Sequence, residues 1–411
     1  MKTMKRYFLL LALAFVAICC ASYGKVGKGN NNTINATYLG KITGDKIIVT
    51  RKVDLKGKKV KLPQGYTLVF KKGIVKNGTL IGNKTKISCD SKAFDHVTIE
   101  GDWNVPKIST ALFVDLNYDN SLRDVMALTN EGIINDVEIL EGTYYIKLTK
   151  NQETGFYITS NTNVRLDGII RLRPNGFTNY QIVKLKGQNC SFNGTGMLIG
   201  DKLNHLGSTG EWGMGVEISR AENATVSGIT IKDCWGDCIY VGNESKNVTI
   251  NNCALDNGRR QGISITSADG VVIRDCIISN ISGTDPGYAI DVEPNANETV
   301  NTVMVNNVKV HNCTGGYEVW GNAKDAKVRN VSFTNCTVRG TTAKYPMLIM
   351  KAEDISIEGC EVDSDSDYSV LVQEITSIKL QENTFKAKGR KPLNIIQSKR
   401  TEISNNEHIL K

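Results

Sequence analysis

Apolar and polar residues alternate in short bursts along most of this chain, and the bursts recur. ITIKDC ending at Cys234, VTINNC at Cys253, VVIRDC at Cys276, VKVHNC at Cys313, VSFTNC at Cys336 and ISIEGC at Cys360 share one phrase, apolar-x-apolar-x-x-Cys. IKLQEN to Asn383 and EISNNE around Asn406 keep the phrase with Asn in the Cys slot. Successive slots lie 19, 23, 37, 23, 24, 23 and 23 residues apart. A period near 23 is the mark of stacked repeats, and the 37-residue interval predicts an insertion of about 14 residues between Cys276 and Cys313.

A second strand-like run lies between the phrases: CIYVG at 238–242, GISIT at 262–266, AIDVE at 289–293, YEVW at 317–320, MLIMK at 347–351 and SVLVQ at 369–373. Leucine-rich repeats also place Asn or Cys after alternating apolar residues. From Ala221 onward, however, there are six leucines, the apolar slots hold Val, Ile and Phe, and helical spacing between phrases is missing. Short strands joined by Asn, Gly, Ser and Asp predict an all-β chain, a right-handed parallel β-helix. In such a solenoid the Cys and Asn slots stack as a ladder, with thiols buried as small apolar groups.

Residues 25–110 carry strand-like segments without the period and read as an N-terminal irregular β region, either the first irregular coils or a small β unit. SLRDVMALTNEG at 121–132 has helical spacing of Leu122, Val125, Met126 and Leu128, with Ser121 as a cap, and predicts a short helix covering an open end of a solenoid at 111–411. That helix, the EGTYYI after it and the laddered repeats from about residue 160 resemble the pectate-lyase-like β-helix superfamily. The resemblance implies the fold over most of the chain.

Met1–Arg6 is basic, Phe8–Ile18 apolar, and Ala21, Ser22 and Gly24 small, the layout of a secretory leader over residues 1–24. The apolar run is shorter than a membrane span, and no later stretch reaches that length. Cys19 and Cys20 raise a surface lipoprotein as the alternative, against which stands the bulky Ile18. The expectation is a secreted or periplasmic protein. The formal charge of +8 becomes +5 without Lys2, Lys5 and Arg6, a weak excess that permits an anionic glycan without requiring one. Eleven cysteines in an exported chain would suggest disulfides, but one per coil lacks both a disulfide pattern and clustered metal spacing. No phosphate loop, dinucleotide fingerprint or aromatic-interleaved basic patch points to nucleotides or nucleic acid.

Strand alternation selects the candidate chemistry. If Ile239, Val241, Ile263, Ile265, Ile290, Val292, Tyr317 and Val319 point inward, then Tyr240, Ser264, Thr266, Asp291, Glu293, Glu318 and Trp320 share an outer face. Asp237, Arg259, Arg260 and the SGTDPGY loop with Asp285 rim it. Adjacent carboxylates on one face repel, which either a cation network relieves or a task exploits. Paired carboxylates suit glycoside hydrolysis, with Asp291, Glu293, Asp237 and Arg260 as catalytic candidates. Arg259, Tyr240, Ser264, Glu318, Trp320 and Lys351 are the substrate-binding candidates, for a polysaccharide or oligosaccharide.

Two alternatives stay open. One is β-elimination on a uronate, with Arg259, Arg260 or Lys351 as base or clamp and Ca2+ as a candidate cofactor on Asp285, Asp291 and Glu293. The other is glycan binding without chemistry. GDCIYVG resembles the DDCIAI-type segment of polygalacturonases and RRQGISITS their GHGISIGS segment. Gly236 and Gln261 replace the family's first aspartate and its histidine, and no RIK-like motif follows, so only Asp237 carries over.

Overall fold

The computed structural model describes residues 33–389 and 391–411; the expected leader lies outside them. Nearly every element is a short strand, and almost every pairing is parallel. From Asn135 onward each coil contributes three strands, to a groove sheet, a middle sheet and a back sheet in turn. One coil, for example, runs Ile263–Ile265, Ala268–Arg274 and Ile277–Ser279. The back sheet alone stacks 11 strands, from Thr143–Ile146 to Glu407–Leu410. All six secondary runs read from the sequence lie in the groove sheet.

The core is a column of Val, Ile, Leu and Phe that continues from Ala36 to Phe385. Each such side chain contributes roughly 1.5–3 kcal/mol when fully buried. Asparagine supplies the corners, because its short amide tolerates the left-handed conformation that a sharp bend between strands demands. Asn161, Asn189, Asn223 and Asn247 all have positive φ. Their amides bond in series: Asn189 Nδ2 donates to Asn161 Oδ1 at 3.3 Å, Asn223 to Asn189 at 3.1 Å, and Asn247 to Asn223 at 3.2 Å. The Asn-x-Ser/Thr triplets at Asn223 and Asn247 are therefore corner residues.

The ladder exists, but in a different register from the one the phrases suggest. Cys253, Cys276, Cys336, Cys360, Asn383 and Asn406 occupy one corner, between the middle and back sheets, with Ile229 and Val308 in the same slot. Cys234 and Cys313 sit one strand later, after the back sheet. The phrase fits the exit of either strand, which is why the intervals of 19 and 37 arise. With Ile229 and Val308 as markers the coils measure 24, 23, 32, 28, 24, 23 and 23 residues. The extra length is thus shared by two coils, and much of it lies in the turns after Val292 and Val319.

Ladder thiols donate to backbone carbonyls, as Cys360 Sγ does to Phe333 O at 3.5 Å, and the amides of Asn383 and Asn406 replace them in the last coils. None of the nine described cysteines is in a disulfide, and all except Cys89 are buried. Burial pushes the Cys190 thiol up to about 11 and that of Cys313 to about 12, far from the reactive thiolate. In protein freed of its leader, a thiol reagent should titrate Cys89 alone before denaturation and all nine afterwards. A full count in the folded state would show the ladder to be open.

In the N-terminal part Lys46–Val49, Thr67–Phe70 and the end of Ile74–Cys89 stack in parallel register as coils. One expectation about this part changes. The helix α1 spans Ser121–Met126 and covers no open end. It bridges two parts of the stack: Asp124 accepts from Ile99 N at 3.2 Å, and Arg123 donates to Gly155 O at 2.6 Å. Nor does Ser121 cap it. Asn120 takes that place in a left-handed conformation, while the buried Ser121 Oγ donates to Leu116 O at 2.8 Å.

Candidate functional site

On the groove sheet the inward set is buried as expected, from Ile239 to Val319. Facing the other way, parallel register stacks Glu217, Tyr240, Ser264, Asp291, Glu318 and Leu348 in one column, about 4.8 Å per coil. Glu293 lies two residues beyond Asp291 on the same face. The outward side is not uniformly wet. Asp291 is only 2% exposed and Glu318 1%, whereas Tyr240, Glu293 and Trp320 are half-buried.

Asp237 lies in the turn before the column and is fully buried. It accepts from Ser264 Oγ at 2.8 Å, Gln261 N at 3.1 Å and Arg260 Nη1 at 3.2 and 3.4 Å. Both of its oxygens are thus engaged, and one partner, Arg260, also has its Nε 3.7 Å from Glu211. Gln261, standing where polygalacturonases carry histidine, is a buried clamp: its Nε2 donates to Asp291 Oδ2 at 2.8 Å and its Oε1 accepts from Tyr288 N at 2.7 Å.

The other oxygen of Asp291, Oδ1, and Glu318 Oε2 are buried without a partner. Burial and then the neighbouring charges of Glu318 and Glu293 hold the Asp291 carboxyl well above the usual carboxylate range, against the pull of Arg260. Burial, with Glu293 adding to it, pushes Glu318 up to about 8. Glu293 is raised by burial and partly held back by Arg260. Burial also raises Asp237, in spite of Arg260 and its other donors. Like charges crowded into a place of low polarity favour keeping a proton, so this cluster contains a carboxylic acid at neutral pH.

The remaining candidates divide. Tyr240 OH bonds Thr266 Oγ1 at 2.7 Å and lines a groove of about 430 Å³ that Arg260 also borders. Ser264 Oγ is committed to Asp237 by its hydrogen bond. Arg259 turns away from the carboxylates: its guanidinium lies 4.0 Å from the Trp235 ring centroid and donates to Gly210 O at 2.7 Å. Lys351 reaches Asn322 Oδ1 at 2.6 Å, away from the acids. Among the described residues no three His, Cys, Asp or Glu side chains converge as a metal cage, so Asp285 does not join Asp291 and Glu293 around a cation. Sequence reasoning missed Glu211, Trp212 and the Lys184–Glu217 pair, which come from one coil or more above the repeats that drew notice. The signal for the first two was the long connection at 200–211 leading into the groove strand Trp212–Glu222.

Three parallel sheets wound around one core, with acids on the outer face of one of them, make this chain a right-handed parallel β-helix. A family model described as a right handed beta helix region matches residues 144–338. Endo-xylogalacturonan hydrolase from Aspergillus tubingensis superposes with a TM-score of 0.50 at 13% identity, covering 74% of this chain and 93% of its own. Tailspike protein gp49 of Acinetobacter baumannii bacteriophage Fri1, described as a capsular polysaccharide depolymerase, gives 0.49 at 15% identity, covering 74% and 63%. At 13% identity the likeness to the Aspergillus enzyme concerns the fold alone. Bacillus subtilis (strain 168) YclG is 26% identical over 275 residues, 56% of this chain and 47% of YclG. The SPbeta prophage-derived YorA is 29% identical over 188 residues, 38% of this chain and 32% of YorA. This chain spans about half or less of the length of these two relatives.

Proposed function

We propose that this β-helix is an exported glycoside hydrolase that cleaves a polysaccharide with Glu318 as general acid and Glu293 as general base. The observation that carries the reading is the buried acid Glu318 one coil from Asp291 and diagonal to the more open Glu293. An acid that keeps its proton to about pH 8 can deliver it to a departing glycosidic oxygen. Glu293, tempered by Arg260, is placed to take a proton from water. Backbone positions one coil and two residues apart are separated by roughly 8 Å, and carboxyl groups held at such a spacing would leave room for that water and invert the anomeric centre. Burial and the charge of Glu293 keep Glu318 protonated, and Asp291, clamped by Gln261, lies beside it in the column.

Elimination fits less well, because each cation offered for it is engaged elsewhere: Arg260 on Asp237, Arg259 on Trp235 and Gly210, Lys351 on Asn322. The fold shared with a xylogalacturonan hydrolase supports a glycan substrate in general terms. Incubation with a panel of neutral and uronic polysaccharides, with and without calcium, is the test. New reducing ends without absorbance near 235 nm, released with inverted configuration, are expected; an unsaturated product would replace this reading with a lyase.

A further inference from the structure

We propose that the groove wall ending at Trp212 is a saccharide-binding subsite for an uncharged stretch of glycan, several sugar units long, leading into the acid cluster. This inference rests on the hydrolase reading for its orientation, though not for its existence. Trp212 opens a groove strand opposite Asn179 and leaves 53% of its surface in solvent, while Trp103, by comparison, is entirely buried. Below it lie Gln181, Lys184, Glu217 and Tyr240, the floor of the 430 Å³ groove, and Asn243 and Asn295 also border it. An open indole face beside amides and hydroxyls is the chemistry that accepts a sugar, the ring stacking on carbon-bound hydrogens while the amides meet hydroxyls.

The indole is not on a loose arm. Asp201 accepts from Tyr180 OH at 2.5 Å, Asn175 N at 3.1 Å and His205 Nδ1 at 2.9 Å, and neither its side chain nor that of His205 is accessible. The His205 ring stacks on Trp235 at 3.9 Å and 15°. Arg259, lying on Trp235, fixes Gly210 O, and Arg260 faces Glu211. The connection is thus pinned at 201, 205, 210 and 211, immediately before Trp212. A platform fixed in advance spares a ligand the entropy of ordering it.

Length and charge narrow the ligand. From the coil of Glu217 to that of Asp291 is three register steps, about 14 Å, so a molecule touching both indole and acids spans several rings. Both cations lining the groove are engaged, Lys184 on Glu217 at 2.6 Å and Arg260 on Asp237, which leaves hydroxyls rather than carboxylates as what this groove can greet.

The test uses the Asp291→Asn protein, with and without Trp212→Ala or Trp212→Phe, on an array of neutral and uronic oligosaccharides of two to eight units. Trp212→Ala should weaken binding of neutral oligomers about five- to tenfold, the worth of one aromatic stack, and Phe should restore most of it with unchanged melting temperature. In the active protein Trp212→Ala should raise KM on long chains with kcat held. Unchanged affinity in Trp212→Ala, or tighter binding of uronates than of neutral chains, overturns the subsite. Cleavage with an indifferent Trp212 sinks the subsite and spares the hydrolase; Trp212-dependent binding without cleavage does the reverse. An array on which nothing binds sinks both.

Discussion

Replacing Asp291 by Asn should lower kcat by on the order of 10²–10⁴-fold while leaving the folded protein intact, because an amide is isosteric and can still face Gln261. The loss arises from the proton that Asp291 holds beside Glu318: burial and the charges of Glu318 and Glu293 keep that carboxyl an acid, and an amide cannot share a proton with its neighbour. The alkaline limb of the pH–rate profile, where the pair gives up its protons, should accordingly move down. The double variant Asp291→Asn, Glu293→Gln also lacks the base and should show no turnover. If it cleaves at the wild-type rate, the chemistry lies elsewhere on the molecule.

Glu318→Gln is the second large effect, and it is read in stability as well as in rate. The folded Glu318 carboxyl titrates at about 8 against an ordinary value of 4.5. Between those values the folded state holds a proton that the unfolded chain has released. This contribution is therefore fully present below about pH 4.5 and is lost as pH rises through 8. Wild type should weaken over that window, whereas the glutamine variant should not. By pH 9 the variant should be more stable by on the order of 2–4 kcal/mol, after allowance for partial exposure, at about 1.4 kcal/mol per pH unit of displacement. Urea midpoints at pH 5 and pH 9 measure this. A gap that does not widen with pH would mean that Glu318 is not held as an acid.

The solenoid was legible because its cause is periodic. Alternation within a strand and recurrence between coils both leave marks in a single chain, and the inward set from Ile239 to Val319 follows from alternation alone. Register was harder. Strands leaving the middle and back sheets carry the same apolar-x-apolar phrase, and only hydrogen-bond partners separate Cys234 from Cys253. The column of Tyr240, Ser264, Asp291 and Glu318 was accessible once one partner per coil was assumed. That Asp291 and Glu318 would be buried on the outer side was not, since burial there depends on neighbouring side chains such as Arg260, whose conformations no alternation rule gives. Asp237 was singled out by family resemblance, but its engagement by Ser264, Gln261 and Arg260 was not legible, since it depends on where those three side chains turn. Trp212 escaped because it enters through a long connection, where periodicity carries no information.

Coil length varies here without disturbing what the coil encloses. The two longest coils after Ile229, of 32 and 28 residues, keep their inward Val, Ile and Tyr in the same vertical file as the 23-residue ones, and lengthen most in turns next to the groove sheet. Loop closure charges little for such additions, since each doubling costs only about 0.6 kcal/mol. Stability and recognition are thereby assigned to separate parts of the same repeat. One border of the groove can thus be lengthened, shortened or recoloured while the file of buried aliphatics that keeps the molecule standing is left untouched.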